Sequence, residues 1–325
     1  MSSFCTLRAA ITGLALCVAS SALLAQAWPT RPIRTISMFS AGNATDVTAR
    51  VVLEVVAQQI GQSFVIDNRP GAGGTLGAAV AARAEPDGYT LLLNSASLSS
   101  QIVLHRSLPF DPVKDFAPVV MLGVSPSVLV ASPSKGWKSV SDLVASAKAR
   151  PGDLTFASAG VGAASHIAAE RLRLATKIDV RHVPFRGPVE AFSEVISGRI
   201  DFYFLPIAPA LPNIKNGRLI ALAVSTPERA TLLPDVPTVV EAGYPSAQYL
   251  FWGGLAFPRG TPRAIIDKLH AETQKALRQP AVLEKLAALG VQPRPMSVEE
   301  FARFARDDVA ETIKLAREIK LTPSD

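Results

Sequence analysis

The sequence predicts an α/β protein of two lobes around a central ligand cleft, with the chain crossing between the lobes twice. Three observations carry that prediction. From Ile33 onward, short β-like apolar runs alternate with amphipathic helical stretches, the pattern of βαβ units and mostly parallel sheets. Two places rich in Pro, Ser, Thr or charge, near Val128–Pro133 and Ser225–Pro237, read as domain crossings. Two stretches, one in each expected lobe, run from strand through a small-residue loop into a helix, and such turns present free backbone N–H groups that attract anions.

Taken in order, the expected strands are Ile33–Phe39, Ser63–Asp67, Thr90–Asn94, Ser127–Ala131, Thr155–Ala157, Val180–Pro184, Phe202–Phe204, Ile220–Ser225 and Gly254–Phe257. The expected helices are Thr45–Ile60, Thr75–Arg83, Val140–Ala149, Ala164–Ala175, Pro188–Ile196, Ala208–Asn216, Pro262–Leu277, Pro280–Leu289 and Val298–Ile319. With both crossings in place, residues 28–128 and 229–325 form one lobe and residues 129–228 the other. A cleft between two such lobes is where a small ligand binds and where closure occurs.

The first 27 residues read as an export signal. Arg8 is the only charge before residue 31, Ala9–Leu24 is a nearly unbroken apolar and small-residue run, and Ala25-Gln26-Ala27 supplies the small residues of a cleavage site. An uncleaved anchor is the alternative, but the apolar run is short for a membrane span and no stop-transfer charges follow. Cleavage near Ala27 predicts a periplasmic protein. Cys5 and Cys17 both fall in this segment, so the mature chain is expected to have no disulfide, no thiolate nucleophile and no cysteine metal site. Leu16 ahead of Cys17 argues against lipidation.

Removing those 27 residues from 325 leaves 298, enough for about two domains, and lowers the formal charge from +6 to +5. The mild basicity favours anionic small molecules, and no Lys/Arg run is long enough for a nucleic-acid surface.

Thr35–Arg50 is the first anion-receptive stretch. It reads as a buried strand, the loop Ser40-Ala41-Gly42-Asn43 and a helix start, with Asn43 as N-cap and Thr45 as its rival. Phe156–His166 repeats the arrangement, with Ser158, Gly160, Gly162 and Ala163 before the helix. Asn68–Gly77 is glycine-rich too, but its G-x-G-G-x-x-G spacing fails the dinucleotide pattern at Leu76 and no P-loop lysine follows.

Ser158 and His166 lack a nucleophile elbow and a placed acid, and the four histidines lack metal-ligand spacing; no catalytic or metal site and no cofactor is expected. Arg186, at a strand end, either pairs with a ligand carboxylate or is solvated. Trp252 either lines the cleft or packs.

Several of these pieces together resemble the Bug family, the extracytoplasmic solute receptors of tripartite tricarboxylate transporters. They are Trp28-Pro-Thr-Arg-Pro-Ile33, Asn68-Arg-Pro-Gly-Ala-Gly-Gly74, Pro86-Asp-Gly-Tyr-Thr90, Leu108–Pro118, Ala157–Gly162 with His166, Leu233-Pro-Asp-Val-Pro-Thr238 and Gly260-Thr-Pro262. The resemblance implies a type II periplasmic-binding-protein fold closing on a small carboxylate. It puts Gly42, Thr45 and Asp46 on one side of the ligand, and Ser158, Gly160, Gly162 and His166 on the other. It also implies delivery to membrane permease subunits; a receptor feeding a membrane signalling partner is the alternative, and a monomer is expected.

This sequence departs from the family pattern at Ala41-Gly42-Asn43, where Pro-Gly-Gly is usual, and at Ala163, where threonine is usual. It departs again at Leu205-Pro206, where Asp-Asn is common, and at Phe251. Hydrogen-bonding groups give way to apolar ones, so the expected ligand is a monocarboxylate or aromatic carboxylate lying against Phe39, Leu205 and Trp252 rather than citrate or an amino acid.

Overall fold

The computed structural model describes residues 28–71, 74–185, 188–321 and 323. The expected export signal, both cysteines and Arg186 lie outside the described residues. No helix among the described residues is long and apolar enough to cross a membrane.

Two five-stranded sheets form, each from four strands running the same way plus one antiparallel strand inserted between the third and the fourth. In the first sheet β1 (Ile33–Ser37) lies between β2 (Phe64–Asn68) and β3 (Thr90–Ser95), all parallel. β10 (Phe251–Pro258) then runs antiparallel between β3 and β4 (Phe116–Ser125). In the second sheet β6 (Thr155–Ser158) lies between β7 (Arg181–Pro184) and β8 (Phe202–Pro206), and β5 (Ser127–Ala131) runs antiparallel between β8 and β9 (Ile220–Val224). The strand orders, β2-β1-β3-β10-β4 and β7-β6-β8-β5-β9, are the same design used twice. The inserted strand in each is the one that enters from the other lobe.

Helices cover both faces of both sheets, which is why the strands read as continuous apolar runs instead of alternating ones. Leu91 and Leu93 of β3 face a core shared with α1 (Ala44–Ile60), α8 (Arg263–Leu277) and α9 (Pro280–Ala288). Leu92 between them faces the opposite core, shared with α2 (Thr75–Ala82) and α3 (Ala96–Leu104). In the second lobe α4 (Val140–Ala149) and α5 (Ala164–Thr176) cover one face, and α6 (Pro188–Ile196) and α7 (Ile207–Lys215) the other. The last helix, α10 (Val298–Glu318), spans the seam. Its Phe301 packs with Met121 and Trp252 of the first lobe, and its Leu315 joins the core containing Tyr249 and Leu172.

Two elements had no expected counterpart, β4 and α3. The run Phe116–Ser125 is apolar but interrupted by Gly123 and flanked by prolines, and Ala96–Leu104 is serine-rich; tertiary packing makes both. The crossings also sit differently from the expected 128 and 229. Val128–Ala131 is buried inside the second sheet, so the chain crosses at Pro126. Ala230, Leu233, Val239 and Tyr249 pack into second-lobe cores, so the return falls just before Phe251. Ser225 pins the two crossings together: its N–H donates to Ser127 O (2.8 Å) and its hydroxyl donates to Tyr249 O (2.8 Å).

At the heart of the first sheet, a Cβ on Gly254 would come 2.5 Å from Phe301 Cζ and 2.8 Å from Val120 O. Gly254→Ala is expected to destabilise the fold by about 1–3 kcal/mol, read as a lower urea midpoint at unchanged slope.

Candidate functional site

In each parallel half-sheet, the strand ends that deliver chain to helix N-termini point the same way, and the candidate residues gather there. In the first lobe the β1–α1 turn is locked from behind. Asn43 is the N-cap of α1, its Oδ1 accepting from Thr45 N (3.0 Å) and Asp46 N (3.2 Å), while its amide donates to Ser40 O (2.7 Å). Asp46 accepts from Gly42 N (2.9 Å), Asn68 Nδ2 (3.1 Å) and Arg50 Nε (3.0 Å). Burial pushes the Asp46 carboxyl up, but the bonds from Arg50, Gly42 and Asn68 outweigh it and hold the group below the usual carboxylate value. Asp46 is 0% exposed and its acceptors are occupied, so it positions the turn instead of facing a ligand. What the turn leaves exposed is Ser40-Ala41-Gly42 and Ala44.

Behind this turn stands a residue without an expectation attached. A Cβ on Gly253 of β10 would meet Thr45 Cγ2 at 3.4 Å, and Gly253 pairs with Ser95 at the end of β3. Ser95 begins α3 without capping it, and its Oγ is buried with no partner. The sequence signal was there, a serine closing an apolar strand run, but it was hidden because α3 itself was not foreseen.

The second turn differs in what it leaves open. Ser158 Oγ accepts from Gly160 N (3.1 Å) and lies 2.6 Å from His182 Nε2. Ser165 Oγ accepts from Ala159 N (3.0 Å), and His166 Nδ1 accepts from Gly162 N (3.0 Å). These bonds shape the turn, yet Ala163 at the N-cap of α5 offers no side-chain cap. The opening amides of α5 have no intrahelical acceptor, and they sit at the positive end of the helix dipole. The uncapped start of α5 thus contrasts with the Asn43-capped start of α1 in the first turn.

The two lobes touch at this turn. A Cβ on Gly162 would lie 2.8 Å from Leu104 Cγ of α3, in the first lobe. Val161 beside it is 46% exposed.

The remaining expected residues are placed apart. Phe39 is half-buried against the core of Ile36, Met38 and Leu92. Leu205 is 3% exposed inside the core of Val128, Val130 and Ile207, so the exchange there serves packing, and only Pro206 reaches the surface. Trp252 is 1% exposed, wedged edge-on between Phe301 (5.5 Å) and Phe304 (5.9 Å), which leaves no face for a ligand. Ser158 and His182 form a serine–histidine pair, but Ser158 is 0% exposed and its hydroxyl is engaged with Gly160, which closes it to a substrate.

The tripartite tricarboxylate transporter family receptor matches residues 48–321. A Pseudomonas sp. protein from the tcbD-tcbE intergenic region is 36% identical over 97% of this chain and 95% of its own. BugT of Bordetella pertussis is 35% identical over 90% of this chain and 91% of its own. Among solved structures, R. palustris Rpa4515 with adipate superposes with TM-score 0.79 at 29% identity, covering 91% of this chain and 99% of that one. MatC from Rhodopseudomonas palustris, with bound malate, gives 0.75 at 33% identity over 89% and 99%.

Asp46→Ala is expected to leave the Gly42 N–H without an acceptor and Asn68 Nδ2 with Phe39 O alone. It should cost about 2–3 kcal/mol of unfolding free energy at neutral pH, checked by urea titration. The lowered Asp46 pKa contributes stability above its unfolded value of 3.8, lost as pH falls through the folded value, so the deficit of the variant is expected to shrink in acid.

Proposed function

The chain belongs to the tripartite tricarboxylate transporter receptor family, and from that membership we propose that it is a periplasmic receptor that captures a small carboxylate between its lobes and delivers it unchanged to membrane permease subunits. The observation that carries the reading is the uncapped start of α5 beside Gly162, held against Leu104 of the opposite lobe. A carboxylate there would accept from the free amides of α5. Gly42 and its neighbours would close on it from the first lobe, with Thr45 and Ser95 behind them. The matching family model is that of a receptor, and the solved BugD, covering 91% of this chain, is a periplasmic binding protein; both support binding without turnover.

Closure would turn on the two crossings that Ser225 pins, with residues 28–125 and 251–321 moving against residues 127–249. Export through residues 1–27 and a monomeric state complete the reading. For the ligand we propose a carboxylate with an apolar body. The surfaces left beside the turns are Ala41, Gly42, Ala44, Ala163, Val161 and half-buried Phe39, with Ser40 the one exposed hydroxyl among them, which gives hydroxyls or ammonium groups few partners.

Calorimetric titration with adipate, benzoate, citrate and aspartate tests this. Adipate or benzoate is expected to bind at least about tenfold more tightly than citrate or aspartate; tight citrate binding without the others would overturn the ligand class. Gly42 has φ of +84° with open space around its missing Cβ. Gly42→Val is therefore expected to weaken binding through backbone strain of about 1–2 kcal/mol, roughly tenfold, in a protein that still melts cooperatively.

A further inference from the structure

His182 lies beneath the second turn, outside every role given so far. It sits on β7, directly across the parallel ladder from Phe156. Its ring stacks on His166 at 4.0 Å and 10°, and on Phe156 at 4.8 Å and 15°. The two imidazoles hold the two ends of one turn. His182 Nε2 meets Ser158 Oγ, which in turn binds both the N–H and the carbonyl of Gly160, while His166 Nδ1 takes the N–H of Gly162.

We infer that His182 is a positioning residue, holding the Ser158–Ala163 turn in its ligand-receiving form, and that it does so only while uncharged. The inference rests on reading that turn as half of the carboxylate clamp.

The surroundings explain the charge requirement. Ser158 has one hydroxyl proton, which serves either Gly160 O or His182 Nε2. A doubly protonated His182 forces it to Gly160 and puts a cation against the face of His166. Around the ring, α5 brings His166 and Glu170, β6 brings only Ser158 and Phe156, and Tyr203 of β8 directs its phenol to Ser165. The Glu170 carboxylate favours a charged His182, but it is engaged by Arg173 at 2.6 Å. Burial first, then His166, pushes His182 down from 6.5 to about 4 against that pull, so it is neutral at pH 7. Above pH 6.5 both folded and unfolded forms are neutral and the contribution of His182 to stability is complete. As pH falls from 6.5 towards 4, the unfolded form takes the proton first and stability falls, while in the folded protein His182 stays neutral and holds the turn until the pH nears 4.

The test uses His182→Gln, which keeps a polar atom in reach of Ser158, and His182→Phe, which keeps the stack and loses the bond. Ligand-free amide exchange at neutral pH is expected to show Gly160 exchanging about tenfold faster in His182→Phe and near the wild-type rate in His182→Gln. Ser158→Ala, which removes the His182 bond together with both bonds to Gly160, should exchange at Gly160 at least as fast as His182→Phe. In NMR spectra recorded from pH 7.5 down to 3.5, the Gly160 amide of the wild type should titrate with a midpoint near 4, and that of His182→Gln should not. Calorimetry with adipate at pH 7.5 should give about fivefold weaker binding for His182→Phe and less than about twofold for His182→Gln. Failure of the wild type to bind adipate or benzoate would count against the receptor reading alone, since exchange and titration need no ligand. Unchanged Gly160 exchange in His182→Phe, or an identical amide titration in His182→Gln, overturns the inference.

Discussion

Asp46 has no solvent-facing surface, and its carboxylate accepts from Gly42, Asn68 and Arg50 at once. That convergence defines the constraint on which the site depends. A turn that offers backbone N–H groups to a ligand has no regular partners of its own, so side chains must fix it from behind. Asn68, at the end of β2, ties Asp46 to Phe39 O, so neighbouring strand ends hold one turn. In the second lobe the same task falls to Ser158, Ser165, His166 and His182, a hydroxyl and imidazole set in place of a carboxylate. Both solutions hide most of the polar groups that do the holding and leave small residues such as Ala41, Gly42 and Ala44 exposed.

The shared strand order makes the two lobes look equivalent, yet their helix starts differ. α1 is capped by Asn43, whereas α3 and α5 have no side-chain cap. On the proposed reading, an anion between the lobes would meet free amides at the start of α5, with the uncapped α3 and the orphan hydroxyl of Ser95 forming the opposite wall. On that reading, backbone would hold one carboxylate group and shape would hold an apolar remainder. The C-terminal helix, packed on both lobes, couples the jaws: Ser99 donates to its buried Asp308 at 2.5 Å in the first lobe, and Leu315 belongs to the core of the second.

Much of this was readable in the residues. The βαβ alternation gave two lobes, because strands covered on both faces and amphipathic helices have different periods. Asn43 announced its cap through spacing alone. Three things escaped. α3 is serine-rich and is made by packing, so Ser95 was invisible with it. Trp252 and Leu205 sit on strands whose two faces are both buried, and a strand register cannot tell core from cleft without knowing which face is covered. His182 is separated from Ser158 by a whole βα unit, and only the parallel ladder between β6 and β7 brings them to 2.6 Å.

The central claim is that one carboxylate is gripped from both lobes at once, and amide chemical shifts on saturation with adipate test it most directly. The account predicts the largest perturbations at two separated clusters, Ala41–Ala44 in the first lobe and Val161–His166 in the second, reached together at a single binding midpoint. Perturbations confined to one lobe, or centred away from both turns, would contradict it.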